Sequence, residues 1–323
     1  MNKPIAIVAG EPNSVSSEII FKSWILRKKY KQKTFFIIGS IELLKKQSKK
    51  LKYNINIKKI DKESQINSLD KSALYVYNVN FSQQKPFQQI TKKSNKYILN
   101  CFDIAINLIK KKKVIGLINC PVSKETLFKN KSQGVTEFLS KKFSVLGKEA
   151  MLIYNKNLSV LPITTHLPFK KITNFLDKSL IIKKALTVQN FYKKNFNKNP
   201  NIGILGLNPH NYSPNKNSEE KKIIIPAIKK LKSRGLKIKG PISPDTSFVI
   251  YKQNKLDVLI GMYHDQVLTS FKTLFKYDAI NITIGLPYIR ISPDHGVATN
   301  ILGKKVANPN SLIQAIKFFN NIK

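Results

Sequence analysis

Four histidines carry all the imidazoles of this 323-residue chain, and each stands just past a strand-like run. They are His166 after Leu161-Pro-Ile-Thr-Thr, His210 after Gly206-Leu-Asn-Pro, His264 between Gly261-Met-Tyr and Asp265-Gln266, and His295 after Ser292-Pro-Asp294. In open α/β sheets, ligands bind outside the carboxyl ends of strands. Neutral imidazoles brought there from distant parts of a chain can converge on one divalent ion such as Zn or Co. Each can equally be a loop histidine making one hydrogen bond, and no local His-Glu-x-x-His pair decides between the two readings. A second group of chemically able residues lies between Lys255 and Asn300: Lys272, Asn281, Arg290 and Asp294-His295-Gly296. Only Arg27, Arg234 and Arg290 are arginine among 57 basic residues. A guanidinium kept where lysine is otherwise used points to a planar fork gripping a phosphate or carboxylate. A structural ion pair with a nearby Asp is the other use.

The elements that must position these groups read as alternating strands and helices. Strands are expected at Pro4–Ala9, Thr34–Ile38, Ala73–Tyr77, Val114–Asn119, Ser159–Thr164, Ile202–Gly206, Asp257–Gly261 and Ile280–Ile284. Several are continuous Val/Ile/Leu runs, as in strands buried on both faces. A helix is expected over Ser94–Lys113, capped by Ser94, and another over Ser218–Ser233 with Glu219 and Glu220 in its first turn. Residues 45–96 are polar and weakly patterned, and read as solvated helix and loop. The pattern predicts an α/β fold with a largely parallel sheet. No Gly-x-Gly-x-x-Gly follows any strand and no P-loop is present, which removes the two commonest nucleotide sites of such folds.

Composition bounds the rest. The chain has 57 Lys+Arg against 18 Asp+Glu, a net charge of +39. That charge invites a nucleic-acid or membrane-surface reading. The near absence of Arg argues against it, because base and phosphate recognition leans on the guanidinium fork. Lysine, Asn and Ile enrichment looks instead like compositional bias. Between Lys255 and Asn300, four basic residues (Lys255, Lys272, Lys276, Arg290) balance four acidic ones (Asp257, Asp265, Asp278, Asp294), so the excess charge lies elsewhere. Cys101 and Cys120 form no disulfide framework or metal motif. No signal-peptide pattern and no apolar run of about 20 residues is present, so a cytoplasmic setting without membrane insertion is expected.

Several motifs together carry a family resemblance. Asn208-Pro-His210, Gly240-Pro241 with Pro244-Asp-Thr246, Met262-Tyr-His-Asp-Gln266, Asn281-Ile-Thr-Ile-Gly-Leu-Pro287 and Asp294-His-Gly296 stand in the order of the 4-hydroxythreonine-4-phosphate dehydrogenase (PdxA) family. The resemblance runs from Gly10 to the C-terminus. It implies a fold similar to isocitrate and isopropylmalate dehydrogenases. Two α/β/α domains would then share a largely parallel mixed sheet design: 1–125 plus 286–323, and 126–285. The active site would lie in the cleft and at a homodimer interface. The same resemblance implies NAD(P)+ bound without the glycine fingerprint. It further implies one divalent ion per subunit (Zn2+, Mg2+ or Co2+) on His166, His210 and His264, one of them reaching the partner subunit's metal. The substrate contacts would be Thr136, Lys272, Asn281 and Arg290, and Lys124 matches a lysine that follows the fourth strand. Asp245 and Asp265 are candidate proton acceptors by adjacency alone, and either can instead support a histidine ligand.

The implied reaction oxidises 4-phosphohydroxy-L-threonine to 2-amino-3-oxo-4-phosphooxybutanoate. That product loses CO2 to give 3-amino-2-oxopropyl phosphate, on the way to pyridoxal 5′-phosphate. The chain departs from the family at three places. Val135 replaces the histidine of Gly-His-Thr-Glu. The opening glycines are missing from Gly10-Glu-Pro-Asn-Ser-Val-Ser-Ser-Glu18. Asn211–Asn217 replaces a glycine-rich loop. Val135 favours a second candidate, a dehydrogenase of another phosphorylated hydroxy acid such as D-erythronate or D-threonate 4-phosphate. A basic nucleic-acid-binding protein on an inactive enzyme fold is the remote third.

Overall fold

A computed structural model describes residues 3–30, 33–128, 134–211 and 217–322. The strands are β1 (Ile5–Val8), β2 (Phe35–Gly39), β3 (Ile57–Ile60), β4 (Leu74–Asn78), β5 (Gly116–Asn119), β6 (Ala150–Tyr154), β7 (Ser159–Thr164), β8 (Ile202–Leu205), β9 (Ile238–Ile242), β10 (Val258–Tyr263), β11 (Ile280–Ile284) and β12 (Ile289–Pro293). The α-helices are α1 (Ser16–Ile25), α2 (Ile41–Lys50), α3 (Asn95–Lys110), α4 (Lys124–Leu127), α5 (Val135–Lys142), α6 (Ile172–Phe175), α7 (Lys178–Phe196), α8 (Ile225–Ser233), α9 (Ser247–Ile250), α10 (His264–Phe275) and α11 (Asn310–Phe318). The chain divides into two compact units, one up to Phe138 with Pro287–Ile322, the other Leu139–Leu286.

In the first unit the strand order is β3-β4-β2-β1-β5-β12, with every neighbouring pair parallel. All four residues of β1 and all five of β2 are buried. Successive side chains of a strand point to opposite faces, so both faces of the sheet are covered here. Ser40 caps α2 by accepting from the Leu43 N–H at 3.3 Å, satisfying one of the orphan donors of the first turn. The unit continues past residue 125 because the Phe138 ring packs 5.9 Å from Phe102 and 6.0 Å from Phe128. The C-terminal segment belongs to this core: any side chain at Gly116 would run into the Phe319 ring.

In the second unit the order is β11-β6-β7-β10-β8-β9. The pairs β11–β6 and β6–β7 are antiparallel, and β7–β10, β10–β8 and β8–β9 are parallel. Val267, Leu268 and Phe271 on one face of α10 join Val160 of β7 and Leu259 of β10 in a buried cluster. That packing anchors the helix that starts at His264.

Four strands went unread in the sequence, each for a physical reason. β3 reads Ile-Lys-Lys-Ile, with only its two Ile buried, and lies at a sheet edge where exposed lysines deter unwanted pairing. β9 carries Gly240-Pro241 and also lies at an edge, where a missing N–H is tolerated. β6 falls outside the strand–helix alternation, pairing antiparallel with β7 across the short turn 155–158, and Pro293 closes β12. Ser94 sits at the start of α3 but makes no cap: its hydroxyl donates to Glu11 Oε2 at 3.1 Å. The expected single helix over 218–233 is in fact a π-helical stretch at Glu220–Ile224 followed by α8. Pro226 in the first turn of α8 has no N–H to give, which favours the wider turn before it. Among the described residues, no helix is long and apolar enough to cross a membrane.

Candidate active site

The second unit assembles the imidazoles. β7, β10 and β8 are adjacent and parallel, so their carboxyl ends lie along one edge of the sheet. His166 follows β7, His264 opens α10 directly after β10, and His210 lies five residues beyond β8. Three strands that are distant in sequence thus deliver three histidines to one edge, as ligand sites of open α/β sheets require. His166 has φ 49° and His210 φ 54°. The left-handed region is uncommon for residues other than Gly, and such conformations collect at functional sites. The His166 and His264 rings lie 5.9 Å apart between centroids.

Each of the other two imidazoles has its own carboxylate. His264 Nδ1 is 2.7 Å from Asp265 Oδ1. A carboxylate there holds the proton on Nδ1 and leaves the Nε2 lone pair for a ligand. His210 Nδ1 is 3.3 Å from Asp245 Oδ2. The Ser243 hydroxyl donates to Asp245 Oδ1 at 2.7 Å and the Thr246 N–H at 2.9 Å. These hydrogen bonds, the Ser243 one foremost, hold the Asp245 carboxyl below the usual carboxylate range. His210 and Asp245 line a cavity of about 470 Å³ with Leu207, Asn208, Phe169 and Tyr263. Asp245 and Asp265 therefore each contact an imidazole.

The strand ends are tied to one another. The Thr164 hydroxyl donates to Met262 O at 2.8 Å, linking β7 to β10. Gln266 Nε2 donates to Gly206 O at 2.8 Å, linking α10 to the end of β8. Glu220 clasps the turn that carries His210. Its Oε1 accepts from Leu207 N–H at 2.9 Å and Asn208 N–H at 2.8 Å, and its Oε2 from Asn208 Nδ2 at 2.9 Å. Burial alone would push the Glu220 carboxyl up, but these donors outweigh it and the group titrates below its ordinary value. A side chain at Gly206 would collide with Asn211. Residues 212–216 of the replaced glycine loop lie outside the described residues.

As a test of fit to a metal, the three histidines divide. His166 and His264 offer a pair of rings, with His264 held in the tautomer a metal needs. His210 stands on its own turn, its Nδ1 likewise against a carboxylate, that of Asp245. Among the described residues, no three His, Cys, Asp or Glu side chains form a group that could hold a metal ion. One copy of the chain thus presents two neighbouring imidazoles and a third on its own turn. The ordinary dinucleotide cradle does not fit either: the turn after β1 is closed by the Glu11 N–H donating to Pro121 O at 2.8 Å.

The candidate anion ligands fall in both units. Lys272 is exposed on α10, two turns beyond His264. Asn281 on β11 is half-buried, and its side-chain oxygen is sealed from solvent with no hydrogen-bond partner among the described residues. A buried orphan acceptor is costly and is a place for a ligand N–H or O–H. In the first unit Arg290 lies on β12, only 4% exposed. Its Nε donates to Asn119 Oδ1 at 2.7 Å and its Nη1 to Thr136 Oγ1 at 3.4 Å. These two acceptors are neutral, and the Glu137 carboxylate also acts electrostatically on the guanidinium. Burial lowers the guanidinium pKa to about 10. Thr136 stands in the first turn of α5 beside the buried Val135, and the Gly134 N–H donates to Glu137 Oε2 at 2.8 Å. Lys124 begins α4 and is exposed. His295, the fourth histidine, has its Nδ1 3.1 Å from Gly296 O in the first unit.

Residues 31–319 match the family model described as pyridoxal phosphate biosynthetic protein PdxA. The chain belongs to the PdxA family. A 4-hydroxythreonine-4-phosphate dehydrogenase of Sulfurihydrogenibium sp. (strain YO3AOP1) is 37% identical over 318 residues, 97% of this chain and 96% of its own. The solved 4-hydroxythreonine-4-phosphate dehydrogenase of Klebsiella pneumoniae superposes with TM-score 0.84 at 26% identity, covering 98% of each chain. An isocitrate dehydrogenase of Methylococcus capsulatus, at 9% identity and TM-score 0.50 over 99% of this chain and 85% of its own, shares the fold alone. This PdxA-family chain is an oxidoreductase with the mixed, largely parallel α/β fold that its motifs imply.

Two residues that shape the site escaped the sequence reading, Asn119 and Glu220. Both are polar groups 2% exposed, at the end of an apolar strand and the start of a helix. A signal existed for Glu220: acids number only 18 against 57 basic residues, and Glu219-Glu220 stand side by side a few residues beyond Asn-Pro-His.

Proposed function

We propose that the chain oxidises 4-phosphohydroxy-L-threonine with NAD(P)+ in the supply of pyridoxal 5′-phosphate. The observation that carries the reading is the convergence of His166, His210 and His264 on one edge of the second unit's sheet, in a chain whose relatives bear that activity's name. Arg290 and Lys272 would bind the phosphate, with Thr136 beside the guanidinium. Fixing the phosphate orients the carbon that loses hydride. The orphan oxygen of Asn281 would accept from the substrate's hydroxyl or amine. NAD(P)+ supplies the hydride acceptor. The 3-keto acid product then loses CO2 to give 3-amino-2-oxopropyl phosphate.

The residues that would hold a divalent ion are His166 and His264 of one copy, with His210 of a second copy in a homodimer. The chemistry such an ion would supply there is a lowered pKa for the substrate's hydroxyl. Asp265 and Asp245 would act through their histidines by holding the Nδ1 protons. Cys101 and Cys120 are both buried and free, which suits a cytoplasmic setting.

The test is a steady-state assay of NAD(P)H formation with 4-phosphohydroxy-L-threonine and Zn2+, Mg2+ or Co2+, alongside metal content of His210→Ala. Undiminished metal binding and turnover in that variant would sink the triad. A second reading keeps the chemistry and changes the acid. Val135 is buried where the family places a substrate-binding histidine, and an apolar side chain cannot donate the lost hydrogen bond. Faster turnover of D-erythronate or D-threonate 4-phosphate would establish that reading.

A further inference from the structure

We propose that Asn119 is a positioning residue that aims the Arg290 guanidinium at the substrate's anionic group while leaving its charge intact. The inference rests on the reading of Arg290 as a phosphate ligand. Three features of the first unit carry it. β5 and β12 are parallel neighbours, with Arg290 beside Leu117 and Ile291 beside Ile118. Asn119, the last residue of β5, therefore lies within reach of the Arg290 side chain. Its own amide is oriented, because Nδ2 donates to Cys120 O at 3.2 Å and so turns Oδ1 toward Arg290 Nε, 2.7 Å away. Both side chains are buried, Asn119 at 2% and Arg290 at 4% exposure, so the contact is shielded from competing water.

A guanidinium is flat and has two edges that can grip an anion bidentately, one through Nε and one through the two terminal nitrogens. The Asn119 contact occupies Nε. The terminal edge is thereby turned toward the first turn of α5, where Nη1 meets the Thr136 hydroxyl at 3.4 Å. Thr136 itself stands in the first turn of α5. An Asp at 119 would accept the same hydrogen bond and cancel the cation. An amide accepts it and adds no negative charge beyond that of Glu137, whose carboxylate already acts on the guanidinium, so more of the cation is left for a phosphate, whose charge is close to −2 at neutral pH. The choice of Asn is therefore chemical as well as geometric.

Two variants separate orientation from charge. Asn119→Leu removes the acceptor at similar volume, and Asn119→Asp keeps the acceptor and adds an opposing charge. We expect each to raise KM for the phosphorylated substrate and the dissociation constant of inorganic phosphate by about 10-fold or more, with kcat changed less. Inorganic phosphate binding is measured by calorimetry on the full chain, so it reads the anion site whether or not the chosen substrate turns over. Arg290→Lys is the control for the underlying reading: if it leaves phosphate binding unchanged, Arg290 is not the anion ligand and that reading falls first. If Arg290→Lys weakens phosphate but neither Asn119 variant does, the positioning role is overturned on its own. A double variant decides between action through Arg290 and general damage. Adding Asn119→Leu to Arg290→Lys leaves phosphate binding nearly unchanged if Asn119 acts through the guanidinium. A further full 10-fold loss would overturn the inference. Because Asn119→Asp is isosteric, unchanged phosphate binding in a folded Asn119→Asp chain would also overturn the charge argument, whatever becomes of Asn119→Leu.

Discussion

His166 and His210 lie on turns beyond the ends of their strands in the second unit, both exposed and both on left-handed backbone. Arg290 lies within a strand of the first unit, buried, with its fork held by Asn119 and Thr136. The same chain thus presents one set of ligands on strained, open turns and another inside a packed sheet. An exposed imidazole contributes little to folding, so its removal shows mainly in ligand binding. A buried guanidinium is part of the core, so altering it changes binding and stability together.

The largest expected effect breaks that contrast if it fails. His166→Ala should lower NAD(P)H formation by more than about 100-fold and strip bound metal, with unfolding free energy unchanged within about 1 kcal/mol. A large loss of stability would show that the imidazole edge is structural. Next in size, Arg290→Lys should raise KM for a phosphorylated substrate by about 10- to 100-fold and lower the midpoint of thermal unfolding as well. A change in KM with no change in stability would remove the distinction between the two regions.

Two buried glutamates sharpen the comparison through pH. Glu220 has its carboxyl lowered: burial raises it, and the Asn208 and Leu207 donors more than offset that. Its contribution is fully present above the ordinary value of 4.5 and is lost as pH falls through the lower folded value. Glu220→Gln should cost about 1–3 kcal/mol at neutral pH and flatten the acid limb of a denaturant-melt series. It should also weaken function through the His210 turn. Glu11, in the first unit, is 1% exposed, and burial raises its carboxyl despite hydrogen bonds from Asn13 N–H and Ser94. Here the folded state holds the proton longer than the unfolded one. Stability therefore falls as pH rises from 4.5 through the raised folded value, and the deficit persists above it. Glu11→Gln should remove that fall and leave neutral-pH stability equal or better by about 1 kcal/mol, the smallest of these effects. A wild-type stability that rises through the same window would contradict it.

Legibility in the sequence followed burial pattern. Ile202–Leu205 is apolar throughout and buried throughout, so its run alone marks a strand. Ile57–Ile60 is a strand only because β4 pairs with it, and its two lysines face solvent. The histidines were legible because they follow such apolar runs, and strand ends are where α/β sheets bind. Asn119 and Glu220 were not, because their importance lies in which atoms they meet across the fold. Ser94 shows the reverse: local chemistry suggested a helix cap, and the tertiary structure gave its hydroxyl to Glu11.

The return of residues 287–322 to the first unit orders events during synthesis. While the ribosome is still making the second unit, β5 has no β12 beside it and the groove over Gly116 has no Phe319. The nascent first unit therefore carries an open apolar strand edge for the whole time that residues 139–286 emerge, and such edges invite pairing with other chains. The second unit, continuous in sequence, can close before then. Asn119 also waits for its arginine until residues 287–322 are made, so the first unit's candidate anion grip forms only after the second unit has emerged.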